Sequence, residues 1–316
     1  MKLKELKQLL KKGNDDDEVL LPQIIEKQVL VIPDLPTKIQ TDASASSVKH
    51  STNLGDIISS LLACKRFYDI TGRKINFMQT IDMKAAYYQG ATHETVDAMG
   101  NMVCINQRMF DMIKPLVESQ PYIYRMERYL GQEVNFDFDV IRGKTFVNLP
   151  HGSIQAWLFY AFPDLACDIN KTWITLPDKK NQIEEVTKDK VILNFTSRYR
   201  NSAVKLDYFF LKKYSSSLIF AGTEKEHWTF CNEWQLTIPR LEINDFLELA
   251  YAIRAAKFLL CNQSMMWNLS TAMGTPRLLE VCNFAQNCLP FYGDNNIGYF
   301  HQIGLEYHFR RMFENL

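Results

Sequence analysis

FLLCNQSMMWNLSTAMG, residues 258–274, is the stretch whose reading decides the fold. Phe258–Cys261 is an unbroken apolar run of the length of a buried strand. Asn262-Gln263-Ser264 is a polar corner, and the helical pattern behind it stops near Gly274, a residue type that ends helices. A strand that turns directly into a helix is half of a βα repeat, and the repeat recurs upstream. Val191–Phe195 is a strand feeding the polar segment NFTSRYRN, residues 194–201. Residues 202–214 are expected to be helical, Ser217–Ala221 a strand ended by Gly222, residues 224–233 a helix and Leu236–Ile238 a short strand. Asn244-Asp245 caps a helix running to Ala256, because these side chains accept the free N–H groups of a first turn. Such alternation predicts an α/β domain, a parallel sheet with helices on both faces.

Outward from this run, the charged segment 177–190 marks a boundary. Before it, residues 50–72 (HSTNLGDIISSLLACKRFYDITG) read as a polar loop and a helix closed by Gly72, with Ile75–Phe77 as the next strand. Residues 103–119 are helical, with Pro115 as a kink or end, 134–140 are a strand or strand-edge loop, and 150–165 are helical. Residues 1–45 read as a peripheral extension. In it Leu3, Leu6, Leu9 and Leu10 suggest a helix, residues 15–18 are an acidic run, Val29–Ile32 is a strand, and Asp42–Ser47 is a loop. The expected organisation is an extension (1–45), a first α/β domain (46–178) and a second (179–316). The aromatic tail 299–313 is expected as a closing helix packed back across the domains.

Composition narrows the function. Lys plus Arg and Asp plus Glu are each 36, so the net charge of zero argues against a chain built for non-specific phosphate binding. An apolar share of 47% excludes a disordered or fibrous protein. No apolar run is long enough to span a membrane: residues 246–269 are interrupted by Glu248, Arg254 and Lys257. Seven cysteines form no CxxC pair and no Cys/His cluster, which fits reduced, buried thiols in a cytoplasmic protein without a metal site. HExxH, GxxxxGKS/T and GxGxxG are absent, which disfavours a zinc protease, a P-loop NTPase and a dinucleotide oxidoreductase.

In an open parallel sheet, ligands sit at the carboxyl ends of the strands. Three such corners carry polar groups. At the first, Asn194, Ser197, Arg198 and Arg200 can meet a diphosphate, since guanidinium forks onto phosphate oxygens. A solvated basic turn would look the same. At the second, Gly222 permits close approach, and Glu224 or Glu226 can accept ribose hydroxyls or serve only as first-turn residues. At the third, Asn262, Gln263 and Ser264 precede a helix start, which attracts anions, though Ser264 alone is an ordinary cap. In the first half, His50, Asn53 and Gly55 lie in the loop before a helix. Asp56 there is either a cap or a base that takes a proton from an acceptor hydroxyl.

HSTNLGDIISSL, VILNFTSRYRN, LIFAGTEKEHWTFC and LLCNQSMMWNLSTAMGTPRLLEV, in this order between about residues 50 and 281, together resemble a branch of the GT-B glycosyltransferases. That branch is similar to the ADP-heptose:lipopolysaccharide heptosyltransferases. The resemblance implies two Rossmann-like domains facing a cleft, with a nucleotide-sugar on the second, an acceptor on the first, and no obligatory metal or cofactor. It places Asp56 on the family's GD motif as base, Arg198 and Arg200 on its diphosphate loop, and Glu224 or Glu226 near its ribose-binding glutamate. Gln263-Ser264-Met265 falls on its Asp-Ser/Thr-Gly donor motif. Here Gln263 replaces the Asp, Met265 the Gly and Asn268 a frequent His, and Leu62 stands where proline is common.

The expected activity is therefore metal-independent, inverting transfer of a sugar from a nucleotide-sugar to a glycan or other hydroxyl acceptor. The neutral donor motif keeps open a catalytically silent nucleotide-sugar or glycan binding module. A third reading makes modified DNA bases the acceptor, the one role left for nucleic acid.

Overall fold

The computed structural model describes residues 46–85, 95–142, 153–282 and 295–315. The extension 1–45, with the helix, acidic run and strand expected in it, and Cys288 lie outside the described residues. The first half contains β1 (Ser46–His50), α1 (Leu54–Thr71), β2 (Ile75–Gln79), α2 (Gln107–Glu118), β3 (Ile123–Arg128), β4 (Phe136–Asp137) and a short α3 (Trp157–Ala161). The second contains α4 (Gln182–Thr187), β5 (Val191–Asn194), β6 (Leu218–Phe220), α5 (Glu224–Trp234), α6 (Phe246–Ala255) and β7 (Phe258–Asn262). It continues with α7 (Met265–Met273), β8 (Arg277–Glu280), β9 (Asn296–Tyr299) and α8 (Gln302–Asn315).

Among the described residues there are two sheets, ordered β3-β2-β1-β4 and β6-β5-β7-β8-β9, and every strand pair within them is parallel. In each sheet the chain steps to one side and then reverses, at β1 in the first and between β5 and β7 in the second. That reversal opens a crevice at the carboxyl ends of the strands. Both crevices are where the candidate side chains lie.

Burial explains the elements. In α1, Ile57, Ile58, Leu61 and Cys64 are fully buried and Leu62 nearly so. Each such aliphatic side chain contributes about 1.5–3 kcal/mol relative to exposure. In the second half, Phe195 stacks on Phe230 with centroids 4.6 Å apart and meets Tyr208 edge-on at 4.9 Å. The closing helix forms as α8, but its buried Leu305, Phe309 and Met312 join the core of the second sheet and do not cross to the first half.

Several expectations are corrected. Ser46, Ser47 and His50, expected in loops, belong instead to β1, the strand at which the first sheet reverses. Ser46 and Ser47 have weak strand preference, yet both are buried, and Ser47 N–H donates to Asn135 Oδ1 at 2.8 Å. Residues 202–214 are not a regular helix; only a 3₁₀ turn at Phe209–Ser217 forms. Before that turn the chain is tied elsewhere, because Asp207 N–H donates to Gln302 and the Tyr208 hydroxyl to Glu280. Leu236 and Ile238 are buried without forming a strand, and the one bridge there joins Phe220 to Arg240. Over 153–165, Pro163 begins a separate 3₁₀ turn, so the expected helix is broken into short pieces. Helix α2 continues through Pro115.

The two halves meet along α1 and α7. A Cβ on Gly55 would lie 2.8 Å from Asn268 Nδ2, so any larger residue here has to displace that buried amide. Buried Asn268 accepts Gln155 Nε2 at 3.0 Å and Ser59 Oγ at 3.3 Å through Oδ1. A strap at 173–175 fastens the same seam. Trp173 Nε1 donates to the Ile58 carbonyl at 2.8 Å, Trp173 N to the Ala272 carbonyl at 2.9 Å, and Tyr122 OH to the Trp173 carbonyl at 2.6 Å.

Candidate active site

At the seam the first turns of α1 and α7 converge with the loop after β5. Asn53, Gly55 and Asp56 from the first half, and Arg198, Tyr199, Gln263, Ser264 and Asn268 from the second, line one cavity of about 140 Å³. Arg198 and Ser264 also line a larger cleft of about 540 Å³, with Asn194, Ser197, Gly222, Glu224 and Glu226. The two spaces thus share a wall, and the smaller one brings Asp56 together with Arg198 and Ser264.

Asn53 and Ser264 occupy the cap positions of α1 and α7, but neither side chain caps its helix. By contrast Asn106, Asn181, Thr223 and Asp245 do cap theirs. Ser264 Oγ instead donates to Asn194 Oδ1 at 2.7 Å, and Asn194 Nδ2 donates to the Ala221 carbonyl at 2.8 Å. One buried asparagine therefore ties together all three strand-end corners. Asp56 is half-buried in the first turn of α1, where the helix dipole favours a carboxylate.

Other candidate residues have structural partners. Arg200 lines neither space. Its Nε lies 3.1 Å from both carboxylate oxygens of Glu280, and its guanidinium stands over the rings of Phe195 and Tyr208. Burial works against that charge, but Glu280 outweighs it and raises the Arg200 pKa above the usual arginine value. Asn262, fully buried, also lines neither: it accepts Thr196 N–H at 3.1 Å and donates to the Thr196 and Arg198 carbonyls. Gln263 reaches the smaller cavity, while its Oε1 accepts Cys282 N–H at 2.8 Å. Glu226 completes a capping box with Thr223, which leaves exposed Glu224 as the first-turn carboxylate of α5 directed to the cleft wall. Buried His50 sits against Gln79 and Thr52 and shares with Asp56 an adjoining space of about 20 Å³.

Sequence reasoning missed Glu280, Arg240, Arg108 and the role of Asn268. Glu280 had a visible signal: it is a carboxylate at the end of the apolar run Leu278-Leu279, at the same strand-end level as Asn262. Arg240 donates to the Gly222 carbonyl at 3.3 Å, pairs with Glu242 and lines the larger cleft. Arg108 comes to that cleft from the first half on α2, with Met109 and Met112 beside it.

No protein-family model matches the chain, and no curated protein matches it. Solved structures do resemble it. E. coli ADP-heptose LPS heptosyltransferase II is 10% identical, with 86% of this chain and 99% of that one covered at a TM-score of 0.50. E. coli heptosyltransferase WaaC with ADP-2-deoxy-2-fluoro heptose is 11% identical over 86% and 100% of the chains, TM-score 0.48. The glycosyl transferase family 9 structure from Veillonella parvula DSM 2008 is 10% identical over 89% and 92%, TM-score 0.46. At these identities the likeness concerns the fold. Two parallel α/β halves meeting at their strand ends, in the arrangement of heptosyltransferase II, make this a heptosyltransferase-like GT-B fold.

Proposed function

We propose that this chain is a glycosyltransferase that moves a sugar from a nucleotide-sugar to an acceptor hydroxyl with inversion. The observation that carries the proposal is the one cavity that Asp56, Arg198 and Ser264 line together. On this reading Asp56 removes the proton of the acceptor hydroxyl as its oxygen attacks the anomeric carbon. The bond from that carbon to the diphosphate oxygen breaks, and the electron pair leaves with the nucleoside diphosphate. Arg198 and the first-turn amides of α7 stabilise the departing charge, where preorganised donors contribute most. Glu224 faces the ribose hydroxyls, and the apolar side chains of the larger cleft, among them Leu241, Ile243 and Met266, surround the base. Leaving-group stabilisation here uses fixed cations and amides of the chain itself, in keeping with the metal-independent reaction implied by the resemblance. The chain has no helix, among the described residues, long and apolar enough to cross a membrane.

The test is a panel of nucleotide-sugars with and without glycan acceptors, scored by release of nucleoside diphosphate. Acceptor-dependent release with one donor is expected, and Asp56→Asn should keep nucleotide binding while turnover falls by about a hundredfold or more, the usual scale for losing a general base. Binding without release from any donor would replace the enzyme with the silent binding module. Unchanged turnover in Asp56→Asn would remove Asp56 from the chemistry.

A further inference from the structure

The loop between Asn194 and Asn201 carries Arg198 into the cavity, and two buried side chains from neighbouring strands grip it on either side. From β7, Asn262 takes the Thr196 N–H and gives hydrogen bonds to the Thr196 and Arg198 carbonyls. From β8, Glu280, 1% exposed, accepts Asn201 N–H at 2.7 Å, Arg200 Nε at 3.1 Å and the Tyr208 hydroxyl at 2.6 Å. The Tyr208 hydroxyl also lies 2.6 Å from that of Tyr299. Between the two grips, Tyr199 adopts a left-handed backbone, φ 55°, which a side chain other than glycine holds only when its surroundings fix it. A carboxylate buried this deeply is stable only with such partners, so the network is built around Glu280.

We propose that Glu280 and Asn262 are positioning residues that pre-shape the 195–201 loop so that Arg198 is presented to a diphosphate before any ligand arrives. This rests on the transferase reading of the site and adds to it the residues that set diphosphate affinity from behind the loop. Arg200, which the sequence pairs with Arg198 as a second phosphate ligand, becomes part of the clamp. The loop's ordering is completed in the free protein, so binding does not have to supply it.

The test joins two measurements on the whole chain. Hydrogen exchange of the free protein is compared between wild type and Glu280→Gln. Amides in 196–201 should exchange at least about tenfold faster in the variant, the scale of losing a hydrogen bond to a charged group. The strand amides of 258–262 should keep their protection. If Glu280→Gln does not fold, Arg200→Gln breaks the same ion pair from its partly exposed side. Unchanged exchange in the loop overturns the proposal.

The second measurement separates positioning from general stability. ADP, GDP and UDP are titrated into wild type, Arg198→Gln, Glu280→Gln and the double variant. Each single variant should bind the preferred diphosphate about tenfold more weakly, and the double variant should be no weaker than Arg198→Gln alone, as expected for residues acting through one contact. Losses that multiply in the double variant would show that Glu280 does not act through Arg198, and would overturn the assignment. If wild type binds none of the three probes, the transferase reading fails, and loop exchange still decides whether the clamp exists.

Discussion

Asn268→Ala tests the seam that brings Asp56 and Ser264 to one cavity. Asn268 is buried, and its Oδ1 accepts Gln155 Nε2 at 3.0 Å and Ser59 Oγ at 3.3 Å. Truncation leaves the amide of Gln155, itself 1% exposed, with a donor and no acceptor. That costs about 1–3 kcal/mol. Ser59 adds little, because its hydroxyl still reaches the Gly55 carbonyl at 2.9 Å. The void left by the missing amide adds roughly 1 kcal/mol. The expected loss is therefore about 2–4 kcal/mol, or a fall of roughly 3–6 °C in melting midpoint for a protein of this size. Urea unfolding followed by tryptophan fluorescence and by circular dichroism gives the number, with the exposed Asn232→Ala as control, expected within about 0.5 kcal/mol of wild type. A loss below about 0.5 kcal/mol for Asn268→Ala would mean that the seam does not depend on this asparagine, and the account of why α1 and α7 stay in register would be wrong.

Gly55→Ala should lower stability and activity together, since its Cβ would stand 2.8 Å from Asn268 Nδ2; an unchanged melting curve and unchanged turnover would contradict the close crossing. Arg277 is 5% exposed, burial pulls its pKa down to about 10, and while its Nη1 donates to the Thr275 carbonyl at 2.6 Å, its buried Nε finds no hydrogen-bond partner among the described residues. Arg277→Met should therefore raise the unfolding free energy by about 1 kcal/mol or more, and a destabilised variant would refute that reading. Burial pushes the thiols of Cys64 and Cys261 well above the usual range. Neither should react with a thiol reagent at pH 8 in the native protein, and mass spectrometry of the labelled peptides checks this.

The second half was legible because its strands are continuous apolar runs bounded by polar corners. Buried parallel strands leave that trace, and Val191–Asn194 and Phe258–Asn262 fall where the pattern placed them. Strand β1 was hidden because Ser46, Ser47 and Lys49 are poor strand formers, and its place in the sheet comes from partners such as Asn135 that lie 88 residues away. The same limit applies to the site. Helix starts, strand ends and their polar residues can be read locally, and they put Asp56, Arg198 and Ser264 among the candidates. Whether an arginine faces a ligand or a buried carboxylate depends on a strand some 80 residues distant, so Arg198 and Arg200 look equivalent in sequence and differ completely in space. Asn262 likewise looks like a ligand group until Thr196 is seen to use it, whereas Gln263 takes the Cys282 N–H and still lines the smaller cavity.

The strap around Trp173 bears on how the molecule can be taken apart. Its indole, 1% exposed, is enclosed by α1, while its backbone is pinned to the end of α7, so the residues just before the apparent domain boundary belong to both sides. A gene cut near residue 178 would leave Trp173 with α1 in one fragment and a bare Ala272 carbonyl in the other, with the faces of α1 and α7 that meet at the seam uncovered in both. The halves should be recoverable when produced together and should precipitate when produced alone.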